Sequence, residues 1–196
     1  MMTVAAGTRI DIAVFDGFDE LDVIGPWEVL RTAATLGAPL HVRLAGVPGA
    51  APARGLLGLE IGVDGDLDPT AGVLVVPGTG CPPPPVLGAR AELAALVRAA
   101  AHQGSVVASV CTGAFVLAAA GLLRDRRATT HWDVLHVLGD LGVETVDARV
   151  VDSGPVITSG GVTSGIDLGL HLVRRFAGEE LAYLTACRLE YEAASA

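Results

Sequence analysis

Short, continuous apolar segments alternate along the chain with longer segments whose apolar residues recur at helical spacing. The continuous segments predict buried strands at residues 9–15, 40–46, 72–77, 105–110 and 155–160. The helical spacing predicts helices at residues 20–37, 89–104, 114–123, 131–141, 166–178 and 179–191. Strands that alternate with helices indicate a mainly parallel sheet with helices on both faces, so the fold class is expected to be doubly wound α/β.

Two stretches depart from this alternation. Residues 55–69 are rich in glycine and aspartate and predict a hairpin-like excursion from the main sheet. Gly25-Pro26 is expected to break the first turn of the helix at residues 20–37, because proline lacks an amide proton.

Residues 105–123 contain no charged side chain, which raises the possibility of a membrane span. The first six residues are β-branched or small and predict a strand, and Cys111-Thr112-Gly113 suits a turn. The helix that follows, residues 114–123, is too short to cross a bilayer, since a span takes about 20 helical residues. We therefore interpret the segment as a buried strand that delivers Cys111 to the start of a helix.

Composition narrows the class of protein. A chain of 196 residues with 51% hydrophobic residues suits one globular domain, residues 1–196, with two very small domains as the alternative. A net charge of −9 and 4% aromatic residues argue against nucleic acid as a partner. The first residues lack the pattern of a signal peptide, and the three cysteines have no metal-ligand spacing. We expect a cytoplasmic protein with no metal.

Cys111 is the leading candidate for chemistry. In open α/β sheets, ligands bind beyond the carboxyl ends of the strands, where Cys111 is expected. A helix start favours thiolate over thiol and supplies amides to a developing negative charge, and Gly113 is the small neighbour that such a turn requires. An inert buried cysteine is the alternative.

Asp22 lies in an apolar stretch after the first strand, so it is expected at the same edge of the sheet as Cys111. Burial and a nearby thiolate would raise its pKa and make it a proton carrier near neutral pH. An ordinary acid in the cap or first turn of a helix is the alternative. Asp19 and Glu20 are interpreted as solvated loop charges.

Three further features belong to the predicted site. Gly78 and Thr79 end the third strand, where backbone amides can face an oxyanion, although a simple tight turn also fits. Gly160-Gly161 allows the same two interpretations. His131 can orient or stabilise the thiol, with a structural role favoured. Cys81 is expected in an exposed loop, and Cys187 is expected to pack in the last helix.

Four segments together resemble the DJ-1/PfpI superfamily: residues 19–30 (DELDVIGPWEVL), 75–80 (VVPGTG), 109–132 (SVCTGAFVLAAAGLLRDRRATTHW) and 158–173 (TSGGVTSGIDLGLHLV). The resemblance implies a flavodoxin-like, class I glutamine amidotransferase-like domain and a homodimer. It also implies a nucleophilic cysteine on a strained nucleophile elbow.

Within the superfamily, the cysteine followed by threonine and the LDxxGP motif are similar to isonitrile hydratases. This likeness implies a cofactor-free lyase that hydrates a small-molecule isonitrile to an N-substituted formamide. Cys111 is then the nucleophile and Asp22 the proton donor, while Thr112 orients Asp22 or water.

Two residues or pairs in the predicted site differ from the pattern of the superfamily or alter its pocket. Gly78-Thr79 replaces the double glycine frequent in the superfamily, and Trp27 is bulky enough to narrow the pocket.

A similar run around the cysteine also occurs in the sensor domains of AraC-type regulators, which carry a helix-turn-helix region beyond the position where this chain ends. A non-catalytic ligand-sensing or stress-response module is therefore the alternative function. Threonine after the cysteine, where PfpI-type proteases have histidine, disfavours peptidase activity.

Overall fold

The computed structural model describes residues 7–48, 52–80 and 91–192. The strands in these ranges are β1 (Thr8–Val14), β2 (Leu40–Gly46), β3 (Ala53–Arg54), β4 (Glu60–Ile61), β5 (Gly65–Asp66), β6 (Val73–Val76), β7 (Val106–Val110), β8 (Arg127–Ala128), β9 (Glu144–Thr145), β10 (Val150–Asp152) and β11 (Val156–Ser159). The helices are α1 (Glu20–Thr35), α2 (Ala91–His102), α3 (Gly113–Ala119), α4 (Leu135–Asp140), α5 (Ser164–Ala177) and α6 (Glu179–Arg188), and a 3₁₀ turn at Trp132–Val134 precedes α4.

The main sheet has seven strands in the order β10-β11-β7-β6-β1-β2-β5. Its neighbours pair in parallel except for β10 and β11, which are antiparallel. Helices α1, α5 and α6 pack together, and α2 packs on α3, so that the two groups cover opposite faces. The expected doubly wound, mainly parallel α/β fold is confirmed. The stretch predicted as a hairpin-like excursion, residues 55–69, contains β4 and the short edge strand β5, and β4 pairs with β3, which lies just before this stretch.

The central strands are buried on both faces, which explains their continuous apolar sequences. Asp11 of β1 is an exception, because its carboxylate is fully buried among hydrophobic neighbours. Arg43 of β2 binds it with two hydrogen bonds, of 3.0 and 2.6 Å. A buried charge needs such a partner, and the apolar pattern that predicted β1 did not reveal this one.

Helix α1 differs from its prediction at one point. Asp19 caps the helix by accepting a hydrogen bond from the Leu21 amide at 3.2 Å. The helix then continues through Pro26 without a break, so the predicted interruption at Gly25-Pro26 is wrong. Both residues are buried, and α5 packs directly against them: a Cβ added to Gly165 would lie 3.0 Å from Cδ of Pro26.

Helices α1 and α5 approach closely because α5 carries glycine where they meet. A Cβ added to Gly169 would lie 2.8 Å from Cβ of Val29, closer than real Cβ contacts. This short distance brings the first turn of α1 towards the loop between β11 and α5. In the part of the chain that the structure describes, no helix has the length and apolar character needed to cross a membrane.

Candidate active site

Four adjacent strands of the sheet, β11, β7, β6 and β1, end at the same edge. The chain leaves them at Gly160, Cys111, Pro77 and Phe15, and α1 brings Asp22 back to this edge. The segments that the sequence singled out separately are therefore neighbours in the fold. This edge is where doubly wound sheets place their ligands.

Cys111 lies on a strained turn between β7 and α3. Its φ is 55°, in the left-handed region that residues other than glycine seldom adopt. The Cys111 amide donates to the carbonyls of Ser159 and Gly160, at 3.1 and 3.0 Å, and its carbonyl accepts from the Thr130 hydroxyl at 2.8 Å. These bonds hold Cys111 in the conformation expected of a nucleophile elbow.

Gly113 allows the elbow to sit against the end of β6. A Cβ at this position would lie 2.2 Å from the Val76 carbonyl oxygen and 3.0 Å from that of Pro77. Residue 113 must therefore be glycine for α3 to start where it does. The backbone amide of Thr112 donates no hydrogen bond to any residue that the structure describes, so it is available to a negatively charged group.

Asp22 is fully buried and is not the helix cap, because Asp19 has that role. Its Oδ2 accepts a hydrogen bond of 2.9 Å from the Gly78 amide. Its Oδ1 is buried without a hydrogen bond of full geometry, although the Cys111 side chain and the Val162 amide are close enough to act on the carboxyl. Oδ1 is therefore the oxygen with room for a proton.

The environment keeps Asp22 protonated at neutral pH. Burial raises its pKa to about 8, and the negative charge of Asp19 adds to the effect. Hydrogen bonds from Gly78, Cys111 and Val162 lower the pKa but do not offset the burial. An acid with this pKa can both give and take a proton near pH 7.

The strand-end residues Gly78 and Thr79 organise the site in a way that the sequence did not indicate. The Gly78 amide is bonded to Asp22, and the Thr79 amide donates to Oγ1 of Thr112 at 2.9 Å. Both amides expected to face an oxyanion are thus occupied. A Cβ on Gly78 would fall within 2.7 Å of both Asp22 and Thr112, so only glycine fits between them. Thr112 accordingly fixes the loop after β6, and no hydrogen bond joins its hydroxyl to Asp22.

His131 has a structural contact, as the sequence favoured. Its Nδ1 accepts from the Asp133 amide at 3.3 Å, which caps the 3₁₀ turn. Its ring edge lies so close to Gly161 that an added Cβ there would be 2.2 Å from Cδ2. The preceding residue, Thr130, was not among the predicted site residues, but its hydroxyl donates to the Cys111 carbonyl. The two threonines that precede His131 in the sequence were the signal from which this contact could have been predicted.

The remaining predicted residues lie elsewhere or have other roles. Trp27 is half-buried in α1 and packs against the core. Glu20 is not a solvated loop charge, because its carboxylate accepts from the Leu57 amide at 2.6 Å. Cys187 is exposed on α6, which corrects the expectation that it packs, and Cys81 lies outside the described residues. Across the described ranges, no three His, Cys, Asp or Glu side chains are arranged to hold a metal ion.

The comparisons with known proteins agree on one family. The sequence profile described as "DJ-1/PfpI family" matches residues 8–175. The isonitrile hydratase of Pseudomonas putida is 36% identical over 185 residues, which cover 93% of this chain and 78% of that enzyme.

A transcriptional regulator and a solved structure are also similar. The HTH-type transcriptional regulator CdhR of Pseudomonas aeruginosa is 34% identical over 174 residues, covering 85% of this chain but 50% of the regulator. The crystal structure of a THiJ/PfpI family protein from Pseudomonas syringae aligns with a TM-score of 0.84 at 26% identity, over 96% of this chain and 77% of that one.

Proposed function

This chain belongs to the DJ-1/PfpI family, and on that basis we propose that it hydrates an isonitrile, R–N≡C, to the formamide R–NH–CHO. The observation that carries the proposal is the neutral, buried carboxyl of Asp22, with a pKa of about 8, beside the Cys111 side chain. Hydration of an isonitrile requires a nucleophile and a proton at the same carbon. The pair supplies both, and the likeness to the Pseudomonas putida isonitrile hydratase supports the choice of substrate.

In the first step, the Cys111 thiolate attacks the terminal carbon of the isonitrile and forms a C–S bond. The Asp22 proton passes to that carbon, which gives a thioimidate, R–N=CH–S–Cys111. Asp22 is then a carboxylate. The Thr112 amide, which has no partner among the described residues, stabilises the negative charge that develops on the isonitrile carbon.

In the second step, water adds to the thioimidate carbon and the nitrogen gains one proton of that water. The C–S bond breaks, the formamide leaves, and the thiolate of Cys111 is restored. The other proton of the water returns to Asp22. Atoms and protons balance without a cofactor, and the same carboxyl acts first as acid and then as base.

Incubation of the protein with n-butyl isonitrile at pH 7.5 tests this proposal. We expect N-butylformamide to accumulate, as followed by NMR, and we expect Cys111→Ala to form it no faster than buffer alone. Formamide production that is the same in the wild type and in Cys111→Ala would contradict the mechanism. A wild type that forms no product contradicts the proposed reaction itself.

A ligand-sensing module is the second candidate function. The observation that favours it is the likeness to CdhR, of which this chain matches half. The burial of Cys111, which is 2% exposed, also suits a binding module that performs no covalent chemistry. A sensor binds small molecules without turnover, so the n-butyl isonitrile assay distinguishes the two.

We also propose that the protein is a homodimer. Besides the resemblance to the family, three leucines at the β3–β4 hairpin are exposed, and Leu57 is 90% exposed. Light scattering at micromolar concentration is expected to give twice the 19.9 kDa of one chain. Leu57→Glu is expected to shift the mass towards one chain, whereas a wild-type mass of 19.9 kDa would refute the dimer.

A further inference from the structure

A cavity of about 480 Å³ lies beside the elbow, between the segment that begins at Thr130 and the loop that joins β11 to α5. Its volume is within the range typical of small-molecule sites. Two residues of its wall hold Cys111 in place: the Thr130 hydroxyl bonds the Cys111 carbonyl, and the Gly160 carbonyl accepts the Cys111 amide. The mechanism proposed above makes no use of this cavity.

The wall contains a polar side chain whose hydroxyl has no partner among the described residues. Ser164 is 3% exposed, and it lines the cavity beside Gly160. Its hydroxyl makes no hydrogen bond to any residue in the described ranges, although its backbone amide donates to Gly161. Because this hydroxyl is open to the cavity, it can donate a hydrogen bond to a group that enters the cavity.

The other polar groups of the wall are mainly donors. Because Nδ1 of His131 accepts from Asp133, the proton of the neutral ring is on Nε2. Arg149 uses Nε and Nη2 on Asp167, Thr163 and Tyr191, and Nη1 forms no hydrogen bond with the described residues. Trp132 is 74% exposed and adds an indole N–H and an aromatic face.

We propose that this cavity binds the carboxylate of a small organic acid. A carboxylate only accepts hydrogen bonds and has two oxygens, which matches a wall whose unpaired groups, apart from the carboxylate of Asp147, can donate. Trp132 offers apolar surface to the aliphatic part of the acid. The carboxylate of Asp147 is also part of the wall and repels an anion. This carboxylate is exposed to solvent, which screens the repulsion. Binding at this cavity does not depend on isonitrile hydration.

Titration of tryptophan fluorescence with sodium propionate tests the site, with sodium chloride as the control for ionic strength. We expect a saturable change that disappears in Trp132→Phe, because the chain has 2 tryptophans and Trp27 lies in α1. Propionamide is the matched neutral ligand and is expected to bind at least about tenfold more weakly, since hydrogen bonds to a charged group are the stronger ones.

Ser164→Ala is the decisive variant, because it removes a hydroxyl with no partner in the described chain and so leaves the fold unchanged by circular dichroism. It is expected to weaken propionate binding at least about tenfold. Asp147→Asn is expected to tighten binding, since a negative charge at the cavity is lost. Equal propionate affinity in the wild type and Ser164→Ala, or no saturable signal in the wild type, would overturn the proposal.

Discussion

Replacement of Asp22 by asparagine is expected to lower the turnover of n-butyl isonitrile by at least about 100-fold, the lower end of what general acid–base catalysis contributes. Asparagine keeps the shape of the side chain and an oxygen for the Gly78 amide, but it has no exchangeable acid proton. The wild-type rate is also expected to fall as the pH rises through about 8, where Asp22 loses its proton. Initial rates measured from pH 6 to 9 test both expectations.

Two controls separate this effect from general damage. Asp140→Asn removes an exposed carboxylate at the end of α4 and is expected to leave the rate unchanged. Alkylation of Cys111 by iodoacetamide, located by mass spectrometry in a Cys187→Ser background, is expected to persist in Asp22→Asn. Near-wild-type turnover in Asp22→Asn would show that the buried acid has no part in the chemistry.

The pH dependence of the free energy of unfolding reports on the protonation of Asp22 independently of activity. The pKa of Asp22 is about 8 in the folded protein and 3.8 in its ordinary state, so the folded protein binds the proton more tightly. Its contribution to stability is therefore lost progressively as the pH rises from about 4 to 8. Asparagine does not titrate, and the gain in urea resistance of Asp22→Asn over the wild type is expected to grow over this window.

Gly113→Ala is expected to destabilise the protein by about 3 kcal/mol or more, at the upper end of the cost of overpacking. The added methyl group would meet the backbone carbonyls of Val76 and Pro77, which cannot move without distorting β6. Urea denaturation measures the loss. Gly62→Ala is the matched control, because a Cβ there has no atom within 4 Å. Equal stability of the two variants would show that the elbow tolerates a side chain at residue 113.

The sequence predicted the main sheet because its central strands are buried on both faces and therefore have continuous apolar sequences. It missed β8 and β9, which are two residues long, and β10, a short, partly exposed edge strand. It also misjudged Pro26, since a helix tolerates proline when tertiary packing compensates. Here the packing of α5 on α1 is a long-range contact that local spacing does not reveal.

The candidate site was predicted in part. Cys111 and Asp22 were identified from a change of period and from an acid in an apolar stretch. The roles of Thr130 and Val162 were not, because both act from loops that only the fold brings to the elbow. The occupied amides of Gly78 and Thr79 and the exposure of Cys187 likewise depend on three-dimensional neighbours.

The elbow also constrains when the candidate site can form during synthesis of the protein. The left-handed conformation of Cys111 costs on the order of 1–3 kcal/mol, and the hydrogen bonds that maintain it come from Thr130, Ser159 and Gly160. All three are translated after Cys111, so a nascent chain that has passed residue 111 lacks the elbow. Cys111 can therefore acquire its left-handed conformation only after β11 has joined the sheet beside β7.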